Sequence, residues 1–285
     1  MTRVIPAMAF LLLLTAWIVA SVLGPNAAPG QKKSLEPERR VLRVCADPND
    51  LPQSNEKREG FENRIAEVIA KDLNADLQYL WWAQRRGFIR NTLRAGECDL
   101  LLNVPTALDM VLVTAPYYRS TYVFVYRRGA DFKVDSFDSD ALRRLRIGVQ
   151  IVGDDYTNTP PAHALARRGI VRNVRGFRVA GDYKEPNPPA RIIEAVAAGE
   201  IDIAIAWGPL AGYFATRQSV PLEVKPVSPQ IDLPFLPFVF DMSMAVRRGE
   251  EGLKTEIEQA IERRRAEIDR ILNDFAVPRV ESAGA

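Results

Sequence analysis

The sequence predicts an α/β protein of two lobes, each built from βαβ units around a parallel sheet, with two hinge crossings joining them. Three observations predict it. Two stretches match at a fixed offset, strand-length apolar runs alternate with helical periodicity through both copies, and two β-branched, aromatic runs stand where the chain would pass between lobes. The match pairs Ala95–Val104 (AGECDLLLNV) with Ala198–Trp207 (AGEIDIAIAW) at an offset of 103 residues, and the same offset pairs Arg43-Val44 with Arg146-Ile147.

Lobe 1, over residues 41–126, opens with a strand at Val41–Ala46. Phe61, Ile65, Val68, Ile69 and Leu73 then share one helical face. A second strand covers Leu77–Trp81, Phe88–Gly96 reads as a helix stopped by its glycine, and Leu100–Val104 is the third strand. Lobe 2, over residues 127–237, repeats the order with strand Leu145–Gln150, helix Pro160–Arg168 and strand Phe177–Ala180. Helix Pro189–Gly199, strand Ile201–Ala206, helix Leu210–Arg217 and strand Leu222–Val227 complete it. Thr121–Tyr126 (TYVFVY) leaves lobe 1 and Phe238–Val246 (FVFDMSMAV) returns. Residues 238–285 hold that return crossing and a C-terminal helix, about Glu251–Phe275, packing on lobe 1.

The N-terminus reads as an export signal. Val4 to Gly24 carries no charged side chain, and Gly24-Pro25-Asn26-Ala27-Ala28 supplies small residues for cleavage. The apolar run Ala7–Leu23 is long for a signal core and just short of a comfortable membrane span, so length alone does not separate the two. Residues 1–28 are taken as a signal peptide and 29–40 as a polar tether, which places the chain in the periplasm with no stable membrane span after cleavage.

The 285 residues carry 38 basic and 36 acidic side chains and are 47% hydrophobic, ordinary for a globular protein. Such a balance leaves no nucleic-acid footprint. His163 is the only histidine, so a catalytic triad or a histidine-rich metal site would have to be built around one residue in a helix. No phosphate-cradling glycine loop appears, and Val152-Gly153-Asp154-Asp155 sets two like charges where an anion would need bare N–H groups. No catalytic residue, metal site or bound cofactor is expected.

Leu42–Pro48 (LRVCADP), Gly60-Phe61-Glu62 opening a helix, and Pro116-Tyr117-Tyr118 before the crossing strand resemble the family 3 extracellular solute-binding proteins, which have the periplasmic binding protein type II fold. The resemblance spans about residues 41–275. Three longer blocks are more specific: Val44–Asn49, Trp82–Phe88 with Asn91-Thr92-Leu93, and Pro116–Phe124. They resemble the quinoprotein-dehydrogenase-associated binding proteins, a group that includes the J accessory proteins of periplasmic methanol oxidation. This resemblance implies an accessory to a PQQ-dependent alcohol or methanol dehydrogenase, with the lanthanide-dependent type among the candidates. It would aid the enzyme's maturation or activation by protein binding, and the quinone would belong to the enzyme. The alternative is a transport receptor for an uncharged or aromatic small molecule.

Amino-acid-binding members of the wider family hold the ligand carboxylate with an Arg shortly before the Pro-Tyr motif and its ammonium with an acid at a second-lobe strand end. Here Asn103–Pro116 has no Arg or Lys, and Ala206-Trp207-Gly208-Pro209 stands at the strand end. Ligands on open α/β sheets bind beyond the carboxyl ends of the strands. The residues expected there are Asp47, Asn49, Trp81, Trp82, Asn103, Tyr117, Gln150 and Trp207, an aromatic and weakly polar set suited to a ring-shaped ligand or a partner loop. Core packing competes for some of them. Trp81 and Trp82 point to opposite faces if both lie in the strand, and Tyr117 suits hinge packing equally well. Arg85 and Arg86 are candidate partner contacts or loop caps, and Glu62 favours its helix N-terminus. Arg263-Arg264-Arg265, bracketed by Glu262 and Glu267, reads as a solvated helix face with charge pairs.

Cys45 and Cys98 are the only cysteines, and an oxidising compartment favours a bridge. The repeat argues against it: Cys98 aligns with Ile201 at a strand start and Cys45 lies late in the first strand. In level parallel strands they would stand about 10 Å apart, which predicts buried free thiols.

Overall fold

The computed structural model describes residues 39–152 and 158–281. The expected signal peptide, the tether up to residue 38, and Asp154 and Asp155 lie outside the described residues. Lobe 1 contains β1 (Arg40–Ala46), α1 (Phe61–Asp72), β2 (Ala75–Trp81), α2 (Phe88–Asn91) and β3 (Leu100–Pro105), and β4 (Tyr118–Arg127) leads out of it. The second lobe contains β5 (Ile147–Ile151), α3 (Pro160–Arg167), β6 (Val174–Arg178), α4 (Arg191–Ala198), β7 (Ile203–Trp207), α5 (Gly208–Ala215) and β8 (Leu222–Pro226). β9 (Val239–Val246), α6 (Glu251–Arg263) and α7 (Arg265–Asp274) follow. No helix among the described residues is long and apolar enough to cross a membrane.

Both lobes are built on parallel strands. β1 pairs in parallel with β2 and β3, and β5 with β6 and β7. Two antiparallel strands join them, giving the order β2-β1-β3-β9-β4-β7-β5-β6. β4 makes the passage. Tyr118–Thr121 pairs with β9, and Tyr122–Arg127 pairs with β7 and β8. The central strands are covered on both sides, as their unbroken apolar runs require. In β7, Ile203 and Ile205 enter one core while Ala204 and Ala206 enter another, and all four are fully buried.

The repeat has a physical counterpart. In lobe 1 the Arg43 backbone N–H and guanidinium both donate to Asp99, with Nη2 2.6 Å from Oδ1. In lobe 2 Arg146 does the same to Asp202 at 2.5 Å. Each aspartate N–H in turn donates 2.8 Å to the carbonyl of its arginine. Each clasp ties an arginine, in the middle of β1 in lobe 1 and just before β5 in lobe 2, to the turn before that lobe's third strand. The Ala-Gly-Glu-x-Asp motif is therefore a strand-register device repeated 103 residues apart.

α5 packs closely on the crossing strand at Gly208 and on the C-terminal segment at Gly212, because it offers no side chain at these two positions one turn apart. A Cβ on Gly208 would stand 2.4 Å from the Thr121 carbonyl oxygen, and one on Gly212 would stand 2.0 Å from that of Ala276. The C-terminal helices pack against α1. The expected single helix breaks at Arg264, whose φ of −104° and ψ of 12° leave the helical region. The arginine run keeps its partly exposed charge pairs, Arg264 with Glu267 and Arg265 with Glu262, and adds contacts to lobe 1: Arg263 and Arg264 both pair with the Asp72 carboxylate, whose side chain is 5% exposed, and Arg265 donates to the Tyr117 carbonyl.

Two further expectations are corrected. The helix expected over Phe88–Gly96 stops after Asn91, because Thr92 turns out of helical geometry and its hydroxyl donates back to the Phe88 carbonyl at 2.7 Å. The free thiols are also overturned: Cys45 and Cys98 form a disulfide with Cα atoms 5.6 Å apart. Cys45 lies opposite Leu101, as level strands would place it. Cys98, however, sits in the turn before β3, not in extended chain, so the rise per residue of a strand does not separate it from Cys45.

Candidate functional site

A cavity of about 430 Å³ opens beyond the strand ends, between residues of the two lobes. Of the residues expected at the cleft, Asp47, Asn103, Gln150 and Trp207 line it. Asp47 follows β1 and is 3% exposed. One carboxylate oxygen accepts the Asn49 N–H at 2.8 Å, and the other accepts the Gln84 N–H at 2.6 Å and the Tyr183 hydroxyl. Gln150 ends β5 and accepts the Trp207 N–H at 2.7 Å, which satisfies the amide entering α5.

Asn103 owes its position to an irregularity in β3. Between the pairs Ser243↔Val104 and Ala245↔Leu101, β3 spends one more residue than β9. Asn103 takes φ +57° there, a left-handed conformation that Asn tolerates better than most residues. Its side-chain oxygen accepts the Tyr118 hydroxyl.

The other expected residues do not line the cavity. Trp81 stacks on Tyr79 with ring centroids 4.6 Å apart, while Trp82, just past the end of the outermost strand, is 45% exposed. Tyr117 is buried against Tyr118. Asn49 stands beside the cavity and donates to the Glu185 carbonyl at 3.0 Å, so it bridges the lobes. Arg85 lies over the ring of Tyr183, 4.7 Å from its centroid. With the exposed Arg86 it also borders a surface depression shared with Phe88, Arg90, Arg94 and Met110.

Several lining residues escaped the sequence reading: Asp50, Gln53, Tyr122, Tyr183 and Phe240. Tyr122, Trp207 and Phe240 form a mutual edge-to-face cluster, with centroids 5.3, 5.8 and 6.4 Å apart. Tyr122 and Phe240 lie in the two crossing runs, Thr121–Tyr126 and Phe238–Val246, which the sequence assigns to the hinge and not to the site. Asp50 and Gln53 belong to a small hairpin after β1, and Tyr183 to the loop after β6, where periodicity is silent.

The site is acidic. Burial pushes Glu62 up to about 8, Asp47 adds to the rise, and a hydrogen bond from Asn103 opposes it. Asp50 is pushed well above the usual carboxylate range by burial, then by Asp47 and Glu62. Burial also raises Tyr117 and Tyr118, which keeps both hydroxyls protonated. Among the described residues no group of three or more His, Cys, Asp or Glu is placed to hold a metal ion.

The model of the bacterial extracellular solute-binding proteins, family 3, matches residues 42–277. Protein MoxJ of Methylorubrum extorquens is 28% identical over 254 residues, covering 86% of this chain and 84% of that protein. The crystal structure of periplasmic binding protein XoxJ from Methylobacterium extorquens AM1 is 34% identical, with a TM-score of 0.70 over 85% of this chain and all of that one. MxaJ from Methlophaga aminisulfidivorans MPT is 25% identical, with a TM-score of 0.71 over 84% of this chain and 100% of that one. With the two-lobed sheet and the interlobe cavity in place, the chain belongs to the family 3 bacterial extracellular solute-binding proteins.

Proposed function

We propose that the protein is a periplasmic accessory to a PQQ-dependent alcohol or methanol dehydrogenase, acting by protein binding and without catalysis of its own. The observation that carries this reading is the similarity to the J proteins over 86% of the chain for MoxJ and 85% for XoxJ, which agrees with the sequence's own resemblance to the dehydrogenase-associated group in three blocks. One of those blocks, Trp82–Phe88, lies largely at the surface. There Arg85 and Arg86 join Arg90, Arg94 and the 41% exposed Met110 around a depression. A basic rim around an apolar floor fits an acidic partner surface, and such charge complementarity steers association.

The test is deletion of the gene from a strain that grows by alcohol oxidation. Dehydrogenase activity should fall in periplasmic extracts and return when the purified protein is added during maturation. Unchanged activity in the deletion strain contradicts the reading. A second reading, a transport receptor for a small solute, is favoured by the interlobe cavity itself. Adjacent permease and ATPase genes with no effect of deletion on the dehydrogenase would support it.

A further inference from the structure

The walls of the interlobe cavity differ in chemistry. On one side stand Asp47, Asp50 and Gln53, and on the other the aromatic cluster of Tyr122, Trp207 and Phe240. Among the described residues no Lys, Arg or His lines the cavity, and none forms an ion pair with Asp47, Asp50 or the adjoining Glu62. We propose that the cavity binds a small organic ammonium ion, a protonated primary or secondary amine that carries no carboxylate.

The charge and the acceptors point the same way. Both oxygens of Asp47 already accept hydrogen bonds from the protein, so Asp47 contributes its field and not a free acceptor. Asp50 is different, because among the described residues nothing donates to its carboxyl group. Three residues on, Gln53 Oε1 is buried with no hydrogen-bond partner, an arrangement that leaves a polar atom short of a donor. An ammonium in the cavity can donate to Asp50 and, with a turn of the Gln53 side chain, to Gln53 Oε1, and its positive charge favours the ionised form of a carboxyl that burial holds well above its usual range. Burial, more than the neighbouring carboxylates, raises Asp50 and Glu62, and a cation beside them would oppose that rise. The hydrocarbon end of the ligand lies against Tyr122, Trp207 and Phe240, where apolar contact and the ring faces favour an alkyl or aryl group next to a cation. A carboxylate on the ligand would find no cationic side chain among the described lining residues and would be repelled by Asp47 and Asp50.

This inference is independent of the dehydrogenase partner. Calorimetric titration and thermal melting of the purified full exported chain test it with two matched sets. One set is phenethylammonium, 2-phenylethanol and phenylalanine; the shorter is isobutylammonium, isobutanol and valine. Within at least one set the ammonium should bind and raise the melting temperature, and the alcohol and amino acid should bind at least about tenfold more weakly. Asp50→Asn should weaken the ammonium by about tenfold or more while leaving a cooperative melt, since it removes the acid that a bound cation would draw into its ionised form. An alcohol that binds as well as its ammonium overturns the proposal. So does an amino acid that binds as well, an Asp50→Asn protein of unchanged affinity, or the failure of both ammonium ions to bind.

Discussion

Glu62 stands in the first turn of α1, where the helix dipole favours a negative charge, yet it is buried beside Asp47, which favours the proton. Burial wins, and the carboxyl is pushed up to about 8. The folded protein therefore holds a proton that the unfolded chain releases near pH 4.3, to order of magnitude. Stability falls as pH rises from about 5 toward 8, by up to about 1.4 kcal/mol per pH unit from this group. Glu62→Gln removes that slope: urea unfolding at pH 5.5 and pH 8 should show the variant losing less stability than the parent. An equal loss would show that Glu62 is not protonated in the fold. The Cys45–Cys98 bridge closes a separation of 53 residues. A Cys45→Ala, Cys98→Ala protein should lose about 3–4 kcal/mol, measured by denaturant unfolding. Thiol titration of the denatured parent should find none free before reduction. Asp47, Asn103, Gln150 and Trp207 were legible at this scale because strand ends can be read from apolar runs. Asp50, Gln53 and Tyr183 were not, because what brings them to the cavity is loop shape.

The two strand clasps make a prediction about elements. Asp99 and Asp202 hold equivalent arginines in the same geometry, but Asp99 is the less exposed side chain, 18% against 27%. Truncating it leaves a more desolvated set of donors. Asp99→Ala should cost about 1–3 kcal/mol and Asp202→Ala less, by chemical denaturation. Equal costs would mean that burial at the clasp does not set its strength. The repeat was the most legible feature of the sequence, since it records a backbone requirement common to both lobes. α2 was not legible in length. Apolar Phe88 and Leu93 supported a longer helix, but Thr92 leaves helical geometry at φ −118° and ψ −87°, with its N–H and its hydroxyl both donating to the Phe88 carbonyl. The break at Arg264 was hidden for a related reason: Asp72 lies 191 residues before Arg263, and no local pattern reports that pairing. The thiol expectation failed on the same point, since it treated a turn residue as part of a strand.

At the scale of the molecule, the loop after β6 fastens the two lobes across the mouth of the cleft. Tyr183 donates to Asp47 and lies under Arg85, and Glu185 accepts from Asn49. Tyr183→Ala removes two of these three contacts and should shift the population toward a more open form, seen as a larger radius of gyration in small-angle X-ray scattering. An unchanged radius would show that the hinge pair β4 and β9 holds the lobes without the loop. The account as a whole rests on protein binding, and titration of purified cognate quinoprotein dehydrogenase with the protein tests that most directly. A saturable complex is predicted, weakened by raising salt and by the double charge reversal Arg85→Glu, Arg86→Glu. No association at low salt, or a complex indifferent to both changes, would contradict it.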